Sequence, residues 1–396
     1  MTDSAGMCMG PEPVRGVAGW DIVGMSAIAC LGDSPGEIFQ ALCEGRTGIA
    51  PLRAFDESGY RVKQAYEIDD RAVPGADEPG RATRWLRLVV GRALRDAGLF
   101  DHAAQYPVIV GTTLRELRSA ELWWRDDAPL ESSDLHFAKA MHESFGTSRT
   151  HTVASACAAS LYALGLATDM IALSQAETVV VAGTDSITES AFGGLDRVQQ
   201  PSPDSIRPFD RARRGMIMGE GAVAVVLSRP GAHERPAYAR VRGVSMNCDA
   251  FHAAVPDVGG VTRVIRAAHE RAEVKPEDID LVIVHGSGTR HNDEVESLAL
   301  TDVFAQAAPG PLVTSIKSGV GHTCGGSGLL SLVVAVLALR LGAVPPIRDL
   351  TDRMPEAEDL RLVAGEPAVG DFTTAQIHAI GLGGINAVAV VEKVES

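Results

Sequence analysis

Two stretches decide the fold class of this chain: residues 150–167 read THTVASACAASLYALGLA, and residues 312–334 read LVTSIKSGVGHTCGGSGLLSLVV. In each, a short β-type run and a turn of small residues precede a helix that is apolar around its full circumference. Such helices are typical of positions between two layers of structure. The two stretches indicate an internal duplication, in which Cys157-Ala-Ala-Ser aligns with Cys324-Gly-Gly-Ser.

Outward from these helices, β-type runs bounded by glycine alternate with helical patterns, which indicates an α/β fold. The stretch SRPGAHERP (228–236) is typical of a linker and divides the chain into halves 1–235 and 236–396. Strands are predicted at 21–28, 107–110, 178–182, 222–227, 239–244, 281–284, 376–380 and 387–391. Helices are predicted at 34–44, 84–97, 157–173, 264–273, 293–304 and 325–341.

The composition bounds the class of protein. The chain has 396 residues, 45% of them hydrophobic, and a formal net charge of -15, so it can bury a large core but repels phosphate backbones. Nucleic-acid binding is therefore disfavoured. The six cysteines lie far apart without a C-x-x-C pair, which predicts reduced thiols in the cytoplasm and no metal cluster.

The sequence predicts neither export nor membrane insertion. Residues 1–16, MTDSAGMCMGPEPVRG, contain an early acid and no apolar core of signal-peptide length. The longest apolar run, 329–339, stops at Arg340 and is shorter than the ~20 residues that a bilayer span requires. We interpret it as a helix buried inside protein.

Three residues are candidates for chemistry. Cys157 begins a buried helix among small residues, where the helix dipole and free N–H groups are expected to lower its pKa; a buried small hydrophobe is the alternative. His285 lies directly beyond a predicted strand, and His322 lies just before the second apolar helix. Ligands of α/β sheets bind at such strand ends, so the three are predicted to meet. We interpret the other histidines, His269, His291 and His378 among them, as structural.

Ordered motifs along most of the chain carry a family resemblance. They are GMSAIACLGDSPGEIFQALCEGRTGI (24–49), TVASACAASLYALG (152–165), RPFDRARRGMIMGEGAVAVVL (207–227), HGSGTRHND (285–293), SIKSGVGH (315–322) and GLGGINAV (381–388). With these the chain resembles the elongating β-ketoacyl-acyl carrier protein synthases, and its motifs are nearest in wording to ketosynthase subunits of bacterial type II polyketide systems. The resemblance implies a thiolase fold, in which two βαβαβαββ halves form a five-layered αβαβα sandwich, with Cys157 in the first half and both histidines in the second.

The resemblance also implies roles for these residues. Cys157 would be the nucleophile, and His285 and His322 would complete a Cys-His-His site. Lys317 and Glu296 would form a buried charge pair that fixes the histidine loops, since an unpaired buried charge costs several kcal/mol; a direct catalytic role for the pair is the alternative.

Further positions follow from the same resemblance. The backbone N–H groups of Cys157 and Leu382 would form the oxyanion hole. Ser287 and Thr289 would bind the phosphopantetheine arm of the carrier, unless they are ordinary turn-capping hydroxyls. Ile380 and Leu382 stand where the family usually has aromatic residues flanking a glycine. The second of these aromatic residues acts as a gate between the acyl pocket and the malonyl site, so Leu382 predicts a differently shaped gate.

Partners and departures from the pattern complete the resemblance. An acidic acyl carrier protein would meet a basic patch, with solvated arginines as the alternative. The chain would form a homodimer, or a heterodimer with a chain-length subunit, and would need no cofactor besides the arm of its substrate. The predicted basic patch consists of Arg207, Arg211, Arg213 and Arg214.

Two regions differ from the usual family sequence. They are residues 111–152, with Trp123-Trp124, and the positions of Arg214 and Met216.

The predicted reaction is decarboxylative Claisen condensation of a Cys157-bound acyl group with malonyl-acyl carrier protein, in fatty acid or polyketide biosynthesis. One alternative is an acyltransferase that passes the acyl group to another nucleophile without condensation. Another is a non-catalytic subunit that sets chain length, although such subunits lack the cysteine.

Overall fold

The computed structural model describes residues 19–71 and 76–394, so the predictions for residues 1–16, and Cys8 with them, lie outside the described residues. Ten α-helices and fifteen strands occur in this part of the chain. The strands are β1 (Trp20–Ala29), β2 (Ala50–Pro51), β3 (Gln64–Ala65), β4 (Val108–Gly111), β5 (Thr150–Val153), β6 (Thr178–Asp185), β7 (Gly221–Ser228), β8 (Ala239–Cys248), β9 (Leu281–Ile283), β10 (Leu312–Thr314), β11 (Ala343–Val344), β12 (Arg361–Leu362), β13 (Ala368–Val369), β14 (Thr374–Gly381) and β15 (Ile385–Glu392). The helices are α1 (Pro35–Cys43), α2 (Arg81–Asp96), α3 (Leu117–Asp126), α4 (Ala138–Phe145), α5 (Ala159–Ala172), α6 (Glu189–Val198), α7 (Val258–Ala272), α8 (Arg290–Val303), α9 (Lys317–Val320) and α10 (Ser327–Leu341).

The strand order confirms the duplication. In the first half the strands lie in the order β1-β7-β6-β4-β5, and in the second in the order β8-β15-β14-β9-β10. When the five strands of each half are numbered along the chain, both orders become 1-5-4-2-3. Antiparallel pairing of β1 with β8 joins the ten strands of the two halves into one hydrogen-bonded series, and β12 at the far end is the eleventh strand.

The helices complete the five layers that the resemblance implies. Helix α2 packs on the outer face of the first sheet, α5 and α10 fill the space between the sheets, and α7 and α8 cover the second sheet. Helix α10 and the turn before it, residues 324–341, are long and apolar enough to cross a membrane by length and composition. However, 83% of that stretch is buried, as expected of a helix between two sheets.

Burial on both faces explains why the central strands are continuously apolar. In β7, Val223 and Val225 pack into the core with α5 and α10, while Ala224 and Val226 pack into the core with α2. Alternate residues of a strand face opposite sides, so a strand covered on both sides needs apolar residues throughout. Glycine allows β4 and α5 to pack closely, because a Cβ on Gly111 would lie 2.4 Å from the backbone nitrogen of Ser160.

The predicted long elements occur, but their starts differ. Helices α2, α7 and α8 begin a few residues before their predicted first residues. The two apolar helices begin two residues after theirs, because residues 156–158 and 324–326 form 3₁₀ turns. Strands β5 and β10 are the short β-type runs predicted before these helices, whereas the two-residue strands β2, β3, β11, β12 and β13 were not predicted, because they are too short to show a periodicity.

Candidate active site

Cys157 lies in a strained turn between β5 and α5. The 3₁₀ turn Ala156–Ala158 directly precedes α5, and Ala156 has a φ of 46°, in the left-handed region that non-glycine residues rarely adopt. Cys157 is 8% exposed, and Ala158 and Ala159 beside it are fully buried. The turn therefore holds a thiol just beneath the surface with only small neighbours on its own segment.

The second half repeats this turn before α10, in a register that corrects the sequence alignment. Residues Cys324–Gly326 form the 3₁₀ turn, and Cys324 has a φ of 48°. The backbone thus matches Cys324 with Ala156 and Gly325 with Cys157, so the alignment of the two cysteines is wrong by one residue. Residue similarity led to that alignment, whereas the left-handed residue defines the turn.

The structure brings the three predicted side chains together from both halves. His322 Nε2 lies 2.9 Å from Cys157 Sγ. The ring of His285 stands perpendicular to that of His322, with ring centroids 5.3 Å apart. Both rings are buried, and among the described residues the Nδ1 atom of each has no hydrogen-bond partner.

Burial dominates the electrostatics of this cluster. It raises the pKa of Cys157 to about 11, against the smaller opposing effect of the Lys317 ammonium. The expectation of a lowered pKa at Cys157 is therefore wrong, because desolvation outweighs the helix terminus and the backbone N–H groups. Burial also lowers the pKa of His322 to about 3 and that of His285 well below its usual value, in both cases with help from Lys317. The resting site consists of a neutral thiol and two neutral imidazoles.

Lys317 and Glu296 both hold the His285 loop, but they do so from separate positions. The Lys317 ammonium donates to the carbonyl oxygen of His285 at 2.5 Å. The Glu296 carboxylate accepts from the backbone N–H of His285 at 2.8 Å and from that of Gly286 at 2.7 Å. Lys317 and Glu296 are both buried but form no ion pair within the described residues. Burial lowers the pKa of Lys317 to about 8 and the Glu296 charge opposes that shift, so the two charges of the predicted pair interact without direct contact. The backbone of the loop lies between the two charges.

The end of β14 packs closely against the turn that carries Cys157, and the contact is made at Gly381. A Cβ on Gly381 would lie 3.1 Å from the Cβ of Ala156 and 3.3 Å from the backbone nitrogen of Cys157. The backbone N–H groups of Leu382 and of Cys157 face the sulfur and act to lower its pKa. The side chain of Leu382 is 50% exposed. The two N–H groups named for the oxyanion hole thus converge beside the nucleophile.

The other predicted substrate-binding residues have different surroundings. The hydroxyls of Ser287 and Thr289 lie 2.9 Å apart in the turn that leads into α8. Ser287 is buried and Thr289 is half-buried. Ile380 is packed in the core with α7 and α8, on the face of β14 opposite to that of Gly381. As for metals, no three His, Cys, Asp or Glu side chains form a suitable cluster within residues 19–71 and 76–394.

The predicted basic patch is partly occupied by contacts within the chain. Arg211 and Arg214 are exposed, and Arg211 pairs with Asp352 at 3.1 Å. Arg213 donates to the carbonyl oxygens of Asp210 and Arg290. Arg207 donates to the hydroxyl of Ser205 at 3.0 Å.

Sequence reasoning missed a buried acid between the two turns. Asp185, the last residue of β6, is fully buried, and burial raises its pKa to about 6. Its carboxylate accepts from the backbone N–H of Gly325 at 2.7 Å, from that of Leu114 at 2.7 Å and from the hydroxyl of Thr112 at 2.7 Å. An acid that ends the apolar run VVVAGTD is the signal that could have revealed it.

A second missed group lies on β14. Gln376 and His378 are buried on the face toward α7 and α8, and His378 contacts Glu296. Their signal was two polar residues at alternate positions of the apolar strand TAQIHAIG (374–381). The sequence alone indicates only a structural role for His378.

Comparisons with known proteins agree with this site. The family profile described as "Beta-ketoacyl synthase, N-terminal domain" matches residues 21–232, and that described as "Beta-ketoacyl synthase, C-terminal domain" matches residues 238–351. The chain is 30% identical to the tetracenomycin polyketide synthase ketoacyl synthase alpha subunit of Streptomyces glaucescens, over 94% of this chain and 96% of that protein. It is also 30% identical to 3-oxoacyl-[acyl-carrier-protein] synthase 2 of Synechocystis sp. (strain ATCC 27184 / PCC 6803 / Kazusa), over 94% of this chain and 97% of that protein.

The fold has solved counterparts as well. The structure described as "The ishigamide ketosynthase/chain length factor" superposes with a TM-score of 0.87 and 28% sequence identity, covering 96% of this chain and all of that one. That likeness agrees with the duplicated topology and the five layers described above. By its sequence and its fold, this chain belongs to the beta-ketoacyl synthase family.

Proposed function

We propose that this chain catalyses the decarboxylative Claisen condensation of an acyl group on Cys157 with a malonyl group on an acyl carrier protein. The observation that carries the proposal is the contact of 2.9 Å between Cys157 Sγ and His322 Nε2, with His285 beside it. Condensation needs a nucleophile that holds the acyl chain and polar groups that stabilise an enolate, and this cluster supplies both.

Acylation comes first in the proposed sequence. His322 takes the thiol proton as Cys157 attacks the thioester carbonyl of the acyl carrier, and the backbone N–H groups of Leu382 and Cys157 stabilise the oxyanion. The carrier thiol then leaves with that proton, and His322 returns to its neutral form. A neutral imidazole is required at the start, which agrees with the strongly lowered pKa of His322.

Decarboxylation and bond formation follow. His285 and His322 donate hydrogen bonds to the malonyl thioester oxygen while the bond to the carboxylate breaks, carbon dioxide leaves and the electron pair enters an enolate; for His322 this requires the neutral tautomer with its proton on Nε2, reached by proton exchange after acylation. The enolate carbon attacks the acyl carbonyl, the carbon–sulfur bond to Cys157 breaks to release the β-ketoacyl product, and the Cys157 thiolate takes up one proton from solvent to restore the neutral thiol. The thioester carbonyl accepts the electron pair, so the proposed reaction needs no cofactor besides the carrier arm.

We also propose the assembly and setting of the enzyme. The relatives are named for an acyl carrier protein and for a ketosynthase/chain length factor, which favours a carrier as substrate donor and a dimer with a second ketosynthase-like chain. Strand β5 ends the sheet with one unpaired edge, a common pairing surface. The five described cysteines are all free, which supports the cytoplasm. We place the boundary between the halves at residue 235, between the end of β7 and the start of β8.

The test incubates the purified protein with an acyl-carrier thioester and a malonyl-carrier thioester, and follows the acyl-enzyme by mass and carbon dioxide by isotope release. Condensation predicts an adduct on Cys157 that disappears as carbon dioxide and the β-ketoacyl carrier form. An adduct that moves to another nucleophile without carbon dioxide release would indicate the acyltransferase instead. The absence of any adduct would favour a chain-length subunit.

A further inference from the structure

A line of buried polar side chains crosses the second half of the molecule and ends at the His285 loop. It begins with His269 on α7, continues through Gln376 and His378 on β14, and reaches Glu296 on α8. All four residues are at most 5% exposed, and Gln376 and Glu296 are fully buried. Buried polar groups are costly unless they are hydrogen-bonded, so the contacts among them define their state.

The contacts form one continuous chain. His269 Nε2 contacts the side-chain oxygen of Gln376. The side-chain nitrogen of Gln376 lies 2.6 Å from His378 Nε2, and His378 Nδ1 lies 3.0 Å from Glu296 Oε1. The strand alternation places Gln376 and His378 on the same face of β14, which makes this sequence of contacts possible.

The far end of the chain supports the catalytic loop directly. Besides His378, Glu296 accepts from the backbone N–H groups of His285 and Gly286 and from the side-chain amide of Asn292 at 2.9 Å. Four donors therefore converge on two carboxylate oxygens. Two of the four belong to the loop that carries the His285 ring.

The chemistry of the groups fixes the direction of every hydrogen bond. An ionised Glu296 only accepts, so His378 must carry its proton on Nδ1. The bare Nε2 of His378 then accepts from the amide N–H of Gln376, and the amide oxygen accepts from Nε2–H of His269. A second N–H on His378 would point at the amide N–H of Gln376, so this set of contacts fits the Nδ1–H tautomer of His378.

We infer that His378 is a positioning residue for condensation: its Nδ1–H holds the ionised Glu296, and Glu296 holds the backbone of His285 so that the imidazole ring meets the malonyl thioester. The inference rests on the proposed function for the role of His285. It assigns His378 no contact with substrate. Cys157 and His322 lie on other segments, so acylation does not depend on this chain of contacts.

The test compares two substitutions of His378. His378→Leu removes the donor, and we expect carbon dioxide release from malonyl-carrier to fall about 100-fold, the cost of misplacing a catalytic group. The rate of Cys157 acylation should stay near that of the wild type. His378→Asn returns an amide N–H to the position of Nδ1 and should recover most of the lost rate. Loss of acylation and condensation in equal proportion, or no recovery by Asn, would overturn the inference.

A matched control and a spectroscopic readout separate this role from general stability. Thr178→Val is the control, because it also removes a buried hydrogen bond, that of Thr178 to Ser228. Thr178 is the first residue of β6, at the end of that strand remote from the site, so this variant should lower neither the rate of acylation nor that of carbon dioxide release. Nitrogen-15 NMR of labelled histidines should show a neutral Nδ1–H tautomer at pH 7 that disappears in His378→Asn. An Nε2–H tautomer or an imidazolium at His378 would contradict the chain of hydrogen bonds from His269 to Glu296. If the wild type releases no carbon dioxide, the proposed function fails, whereas the NMR result still tests that chain of hydrogen bonds.

Discussion

The turn that carries Cys157 and the turn that carries Gly325 have the same backbone conformation but different roles. Each begins with a left-handed residue, continues as a 3₁₀ turn and leads into an apolar helix that fills the space between the sheets. At the equivalent position the first turn has a thiol in contact with His322, and the second has a glycine packed on backbone. A Cβ on Gly325 would lie 2.5 Å from backbone atoms of Thr112 and Thr113.

The difference shows how a duplicated fold becomes a single active site. Both turns point into the space between the halves, where two nucleophiles would compete for one set of histidines. In this protein the first turn carries the reactive sulfur of Cys157. The second turn follows His322, which contacts that sulfur, and its Gly325 N–H donates to the Asp185 carboxylate. The following experiments test whether chemistry and packing are divided between the turns in this way.

The largest expected effect comes from removing each cysteine in turn. Cys157→Ala should abolish the acyl-enzyme seen by intact-protein mass spectrometry, because the sulfur is the atom that is acylated. Cys324→Ala should still form the adduct, because that thiol is packed in an apolar cluster and donates to the carbonyl oxygen of His322. An adduct that depends on Cys324 would reverse the assignment of the two turns.

Removing an imidazole should have the next largest effect. His285→Ala is expected to lower carbon dioxide release by about 10²–10⁴-fold, the usual contribution of a positioned acid–base group, while sparing acylation. His322→Ala should impair both steps, because His322 takes the thiol proton in acylation and donates to the malonyl thioester oxygen in condensation. Single-turnover assays of both steps measure the ratio. Normal condensation by both variants would show that the roles given to the histidines are wrong.

Gly325→Ala tests the packing role of the second turn. The added Cβ meets backbone that cannot rotate away, so the free energy of unfolding should fall by about 3 kcal/mol, at the high end for overpacking. Gly36→Ala in α1 is the control, because a Cβ there meets nothing within 4 Å. Denaturant titration compares the two, and equal stability would contradict the tight packing of Gly325.

The raised pKa of Cys157 predicts how its reactivity changes with pH. A thiol with a pKa of about 11 is protonated at neutral pH, so alkylation by iodoacetamide should accelerate about tenfold per pH unit from pH 7 to 9. Peptide mapping separates Cys157 from the exposed Cys248. A rate that is already constant at pH 7 would instead indicate a thiolate paired with an imidazolium.

The smallest effect is expected at the gate. Leu382→Phe narrows the approach to the Cys157 turn, and we expect a few-fold slower acylation with long acyl chains and little change with short ones. Competition between two acyl-carrier thioesters of different length measures this selectivity. Equal slowing for both lengths would remove chain-length discrimination from the role of Leu382.

Much of the fold could be predicted because it depends on periodicity and burial. Helices α5 and α10 are apolar all round, and the core strands are continuously apolar, so their layer positions follow from composition. The left-handed residue at Ala156 could not be predicted, because alanine shows no preference for that conformation and only the tertiary packing imposes it. The one-residue error between the two turns has the same cause.

The site could be predicted as a set of residues and not as an electrostatic environment. Cys157, His285 and His322 follow from their motifs. The direction of the Cys157 pKa shift depends on burial, which is a property of the whole fold. Lys317 and Glu296 were predicted to form a buried charge pair. The His285 backbone lies between them, and no local pattern shows which loop occupies a given space.

One measurement tests the central claim most directly. Acyl-enzyme formed on Cys157 is isolated, malonyl-carrier with a labelled carboxyl group is added, and labelled carbon dioxide and remaining acyl-enzyme are counted in a single turnover. We predict one molecule of carbon dioxide for each acyl group lost from Cys157, with the β-ketoacyl carrier as product. Loss of the acyl group without carbon dioxide, or carbon dioxide release that leaves the acyl-enzyme intact, would contradict condensation at this cysteine and histidine pair.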